Sequence, residues 1–246
     1  MGLEAAGIIA DQIRTNPKTV LGLATGSTPL GLYNELIRLH KNGGLDFSNV
    51  ISFNLDEYIG LSKDHPQSYN IFMQKTLFTK INIKQKNIHL PSGSTFDNKE
   101  CEKYESLINS CGGIDLQILG IGSDGHIAFN EPSSSLGSRT RLKTLTQETV
   151  KDNARFFDNI NDVPKFAVTM GVGTIMEAKS ILLLASGSAK AKPITKAIEG
   201  PISSMCSASA IQMHPKTTVI IDEDAAKNLK EKDYYKWVYN NKKSLN

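Results

Sequence analysis

The stretch GIGSDGHIAFNEP, Gly120 to Pro132, places Asp124, His126 and Glu131 on one loop directly after an apolar run. A histidine held between two carboxylates has a fixed tautomer and raised basicity, which suits proton transfer near neutral pH. The same pattern would also serve a histidine simply bonded into its own loop. A metal centre is the third reading. It is weakened because no second histidine stands at a ligand spacing and no cysteine is near.

Two further segments carry residues of the right types. In NLDEYIGL, Asp56 and Glu57 follow an apolar strand, so one of them should point toward the crevice at the strand's end. A carboxylate there can move a proton between carbon atoms, or between carbon and oxygen; alternatively Asp56 caps a turn and Glu57 faces solvent. In ATGSTPLGLY, Gly26, Ser27 and Thr28 separate a strand from a helix beginning near Pro29. Short residues at a helix N-terminus let N–H groups and hydroxyls converge on an anion, unless Ser27 or Thr28 merely caps the helix. The segment matches neither a Walker A loop nor a dinucleotide fingerprint. Downstream, Arg155 in DNARFFD and Lys190 in ASGSAKAK could reach a phosphate.

The elements that must position these residues are short apolar runs alternating with helical stretches. TVLGLA, VISFNL, NIHL, the run from Ile114, SILLLAS and TTVIID read as strands. Helices are expected at the N-terminus, over PLGLYNELIRLHK, from Pro66, over KECEKYESLINS, from about Ala189, and over AAKNLKEKDYYKWVY. RTRLKTLT is mixed and has no clear assignment. Strands apolar on both faces that alternate with helices predict an α/β sandwich, a mostly parallel sheet with helices on both sides. In such sheets ligands bind at the carboxyl ends of the strands, where all three loops lie.

The chain of 246 residues carries a net charge of +3 and shows no repeat or linker, so 1–246 is expected to be one domain. Its positive charge is slight, which disfavours nucleic acid as a partner. Its three cysteines have no metal or redox spacing, which suits a reduced, cytoplasmic setting. No run is long enough to span a membrane, and the N-terminus lacks the pattern of a signal peptide.

LGLATGSTP, FNLDEYIGL, HPQSYN, GIGSDGHIAFNEP, SRTRLKTLT, NARFFD, VPKFAVTMGVGTI and ASGSAKA, in this order from about Thr19 to Asp222, resemble the glucosamine-6-phosphate deaminase family. The resemblance implies a modified Rossmann-like, three-layer fold and conversion of glucosamine 6-phosphate and water to fructose 6-phosphate and ammonia, with no metal or organic cofactor. It also implies that Asp56 is the proton-transfer carboxylate. His126 would be the ring-opening acid/base, with Asp124 and Glu131 orienting it. Gly26, Ser27, Thr28, Arg155 and Lys190 would bind the sugar phosphate. No catalytic role passes to Glu57, and about Leu145 to Val168 would form a lid.

Departures from the family pattern bear on assembly and control. The chain starts almost inside its first helix, so an N-terminal strand is expected to be missing or shortened. Ser27 replaces what is often a glycine. Ser134, Arg141 and Lys143 match a second phosphate site that in some hexameric relatives binds an activating acetylated sugar phosphate. Lys236, however, stands where a tyrosine of that site would be. A monomer or a homo-oligomer with weak or absent allostery is therefore expected. The alternative functions are a 6-phosphogluconolactonase-like hydrolase, which would not need Asp56 to move a carbon-bound proton, and a non-catalytic sugar-phosphate sensor.

Overall fold

The computed structural model describes residues 1–94 and 97–242. In chain order the elements are α1 (Gly2–Thr15), β1 (Val20–Leu23), α2 (Leu30–Gly43), β2 (Ile51–Asn54), β3 (Asp56–Tyr58), α3 (Tyr69–Thr76), β4 (Ile88–His89), α4 (Asn98–Ser110) and β5 (Leu116–Leu119). They continue with β6 (Arg141–Thr144), α5 (Gln147–Asn153), β7 (Phe166–Thr169), α6 (Val172–Met176), β8 (Ile181–Ala185), α7 (Ala191–Ile198), β9 (Thr217–Ile221) and α8 (Lys232–Lys242).

A six-stranded parallel sheet runs β4-β2-β1-β5-β8-β9. Numbered along the chain this is the 3-2-1-4-5-6 order of a doubly wound sheet, in which right-handed crossovers place helices on both faces. Burial follows from that layering. The central strands β1, β5 and β8 are buried at every position, as their largely apolar runs predict. The strand order reverses between β1 and β5, so a crevice opens at their carboxyl ends.

A second sheet, β3-β7-β6, is antiparallel and three-stranded. The sequence did not reveal it. Its strands are short, and β6 alternates Arg141, Leu142, Lys143 and Thr144 with none fully buried. It packs at the mouth of the crevice because a single residue, Leu55, separates β2 from β3.

Three helix expectations need correcting. The helix expected from Pro66 begins at Tyr69, because the Ser68 hydroxyl accepts from Ile71 N and caps it there. The last helix starts at Lys232 rather than near Ala225, since Asp222 takes the Ala225 N–H and holds the chain in turns. Neither Ser27 nor Thr28 caps α2: no side chain caps its N-terminus, which begins at Pro29. The end of the segment expected to be a lid, residues 166–168, lies within β7, where Ala167 and Val168 are paired on both sides. Among the described residues, no helix is long and apolar enough to cross a membrane.

Candidate functional site

The crevice is a cleft of roughly 620 Å³. Gly26, Ser27, Thr28, Asp56, His126, Arg155 and Lys190 all line it. Residues far apart in sequence thus meet at one place, at and beside the strand-order reversal.

The turn after β1 is held from behind. The Tyr33 hydroxyl on α2 donates to Ala24 O at 2.5 Å, fixing the end of the strand against the helix that follows. Gly26 has φ +89°, the left-handed region that a glycine enters at little cost. Leu30 N donates to Ser27 O at 3.3 Å, but no side chain caps α2, which leaves other N–H groups of its first turn to an anion. Lys190, in the turn before α7, donates to Ile121 O at 2.7 Å, which places its ammonium beside the loop after β5. Arg155 follows α5, with its guanidinium carbon 4.7 Å from the centre of the Phe156 ring.

Asp56 opens β3 and pairs across the small sheet with Thr169. It is buried, with 5% of its surface exposed. Burial raises its carboxyl to about 8; the neighbouring Glu57 charge adds to the rise and His126 opposes it. Adjacent Glu57 is buried too, but its oxygens accept from Tyr58 N (2.9 Å), Tyr69 N (2.9 Å) and Asn70 N (3.0 Å). It therefore closes the N-terminus of α3 and does not face solvent. Of the two carboxylates, Asp56 is the one that lines the cleft.

His126 sits in a loop folded back on itself, with Gly122 N donating to His126 O at 2.8 Å. A Cβ on Gly122 would lie 2.4 Å from the imidazole, so only glycine leaves room for the ring. Asp124 accepts the His126 backbone N–H at 2.9 Å, and its Oδ1 lies 2.8 Å from Nδ1. Glu131 Oε2 is 3.5 Å from the same nitrogen. Neither oxygen lies along the N–H direction, so the contacts are ion pairs rather than aligned hydrogen bonds. Burial works against the imidazolium, but the two carboxylates outweigh it and hold the ring at about 9. Burial would also lift both carboxyls, yet the histidine keeps Asp124 and Glu131 below their ordinary values.

The donor atoms of Asp124, His126 and Glu131 lie within 4.8 Å of one another, a spacing a divalent cation could bridge. The chemistry of the donors fits a proton better. A metal must displace the proton these carboxylates hold on the ring, and no fourth acidic, histidine or cysteine ligand joins the group among the described residues.

Several residues of the site escaped sequence reasoning. Thr146 donates through N and Oγ1 to Glu131, at 3.1 and 3.2 Å, while capping α5. The Thr-x-x-Thr spacing before α5 was the available signal. Tyr58, Tyr69, Phe129 and Phe157 form an aromatic wall, with Tyr58 and Tyr69 ring centres 4.9 Å apart. Nothing in their spacing sets them apart from core residues.

The residues matched to a second phosphate site have other neighbours. Ser134 is buried with its hydroxyl unpartnered, and Arg141 donates to Asn130 Oδ1 at 2.9 Å. Lys143 is half-buried on β6, and Lys236 Nζ pairs with Glu223 at 2.7 Å.

Residues 2–220 match the model for glucosamine-6-phosphate isomerases/6-phosphogluconolactonase. The glucosamine-6-phosphate deaminase of Thermoanaerobacter pseudethanolicus is 53% identical over 234 residues, 95% of this chain and 92% of that one. A solved monomeric glucosamine-6-phosphate deaminase superimposes with a TM-score of 0.90 at 48% identity, covering 92% of this chain and 95% of its own. A 6-phosphogluconolactonase from Trypanosoma cruzi reaches a TM-score of 0.71 at 21% identity over 94% of each chain, a likeness of fold alone.

Proposed function

This chain belongs to the family of glucosamine-6-phosphate isomerases and 6-phosphogluconolactonases, and we propose that its cleft converts glucosamine 6-phosphate and water to fructose 6-phosphate and ammonia. The observation that carries this reading is the shared cleft. Buried Asp56, the imidazole of His126, and the Gly26–Thr28 turn with Arg155 and Lys190 line one space.

The chemistry follows from those groups. The phosphate binds at Gly26, Ser27, Thr28, Arg155 and Lys190 and tethers the sugar by its far end, so that its binding energy positions C1 and C2. His126 gives its proton to the ring oxygen and takes the anomeric hydroxyl proton, which opens the pyranose. Asp124 and Glu131 orient it. Asp56 then removes the C2 hydrogen as a proton and returns a proton to C1, while the substrate ammonium gives up one proton and O1 gains one, leaving the C2 ketimine as its iminium. A carboxylate made more basic by burial is a better partner for a weak carbon acid. Water adds at C2, and the amine departs as ammonia as the ketone forms.

Lactone hydrolysis moves no carbon-bound proton, so a buried Asp56 would have no task there. We take 1–246 as one domain. With Lys236 standing where a tyrosine of the second phosphate site would be, activation by an acetylated sugar phosphate is not expected. The test is to mix pure protein with glucosamine 6-phosphate, measure free ammonium and fructose 6-phosphate, and repeat with a chelator present. Equal amounts of both products, unchanged by the chelator, support the reading. Hydrolysis of 6-phosphogluconolactone without ammonium release overturns it.

A further inference from the structure

Asp152 is the wrong sign for its surroundings. It lines the same cleft as Arg155 and Lys190 and stands three residues before Arg155, one turn away. Its negative charge is the leading influence opposing the loss of proton affinity that burial imposes on Lys190. Its Oδ2 accepts from Ser123 Oγ at 2.6 Å, and Ser123 belongs to the loop carrying Asp124 and His126. One exposed carboxylate thus bridges α5 to the loop after β5 and stands among the cations assigned to phosphate. An anion entering there is repelled by it.

We propose that Asp152 is a resident counter-charge of the phosphate subsite: it offsets Lys190 and Arg155 and clasps Ser123 while the cleft is empty, and arriving phosphate displaces it. The inference rests on reading Gly26–Thr28, Arg155 and Lys190 as that subsite. Its consequence is a cleft that holds phosphate less tightly than its cations allow. Affinity shared by substrate and product does not lower the barrier between them, and the returning carboxylate helps expel the product.

The experiment is calorimetric titration of inorganic phosphate into wild type, Asp152→Asn and Ser123→Ala at low ionic strength. This needs no turnover. Asp152→Asn should bind phosphate about three- to tenfold more tightly, with the gain shrinking toward unity as salt screens the charge. Ser123→Ala keeps the charge and loses only the clasp, so its gain should be smaller. Asp152→Ser provides a second charge-free variant should the first melt early. Unchanged or weaker binding by the charge-free variants would overturn the inference, leaving Asp152 a simple clasp. A gain from Ser123→Ala matching theirs would overturn it too. If wild type binds no phosphate at all, the subsite itself is misassigned and both readings fall together.

Discussion

The two sheets divide the work of the site differently. The parallel sheet ends in the turns proposed to anchor phosphate: the Gly26–Thr28 turn follows β1 and Lys190 follows β8. The small antiparallel sheet brings the carboxylate proposed to react, since Asp56 is the first residue of β3. His126 lies on the seam, in the loop after β5, and Thr169 of β7 accepts the nearby Phe129 N–H at 3.0 Å. In the proposed reaction, binding would belong to the strand-end turns of the large sheet, and chemistry to the boundary between the two sheets, where a small shift in either changes how base, acid and anchor are spaced.

That division can be broken from either side. The largest effect should come from the seam: Asp56→Asn should lower kcat by about two to four orders of magnitude, the range of a lost general base, with KM little changed. A kcat near wild type in steady-state ammonium assays would remove Asp56 from the chemistry. On the anchoring side, Lys190→Ala should raise KM by roughly 10- to 50-fold while kcat changes much less, as expected when binding common to ground and transition states is lost. A fall confined to kcat would move Lys190 to the reactive side.

The smallest effect sharpens the comparison through pH. In the free enzyme, kcat/KM should rise as Asp56 ionises near 8 and fall as His126 loses its proton near 9. Asp124→Asn should draw the falling limb down by about one unit or more, because burial of the ring is then less fully opposed. The same signs govern stability. His126 titrates at about 9 in the fold against an ordinary 6.5, so its ion pairs contribute fully below 6.5 and are lost as pH rises through 9. A falling limb that does not move would detach Asp124 from the imidazole.

Legibility in the sequence followed the same line. β1, β5 and β8 are apolar at nearly every position, and that alone announces strands covered on both faces. β3 is Asp-Glu-Tyr and wholly buried. No hydrophobic periodicity could mark it, because its charges are compensated by groups distant in sequence. β6 looked mixed for a related reason, with charged residues on a half-covered strand. Asp124, His126 and Glu131 were legible because they crowd one loop. Thr146 was not, since its bond to Glu131 exists only once β6 and β7 have brought α5 alongside. Asp152 was hidden the same way: its partner, Ser123, lies on another element.

The pairing of Asp56 with Thr169 has a consequence for which acid faces the cleft. Side chains alternate across a strand, so sliding β3 by a single step along β7 would exchange the two acids. Glu57 would swing into the cleft and Asp56 would meet the first turn of α3. The ladder between β3 and β7 thus acts as a selector, choosing between neighbouring carboxylates of nearly equal intrinsic acidity. A helix that donates two backbone N–H groups, from Tyr69 and Asn70, to one of them keeps the selector from slipping.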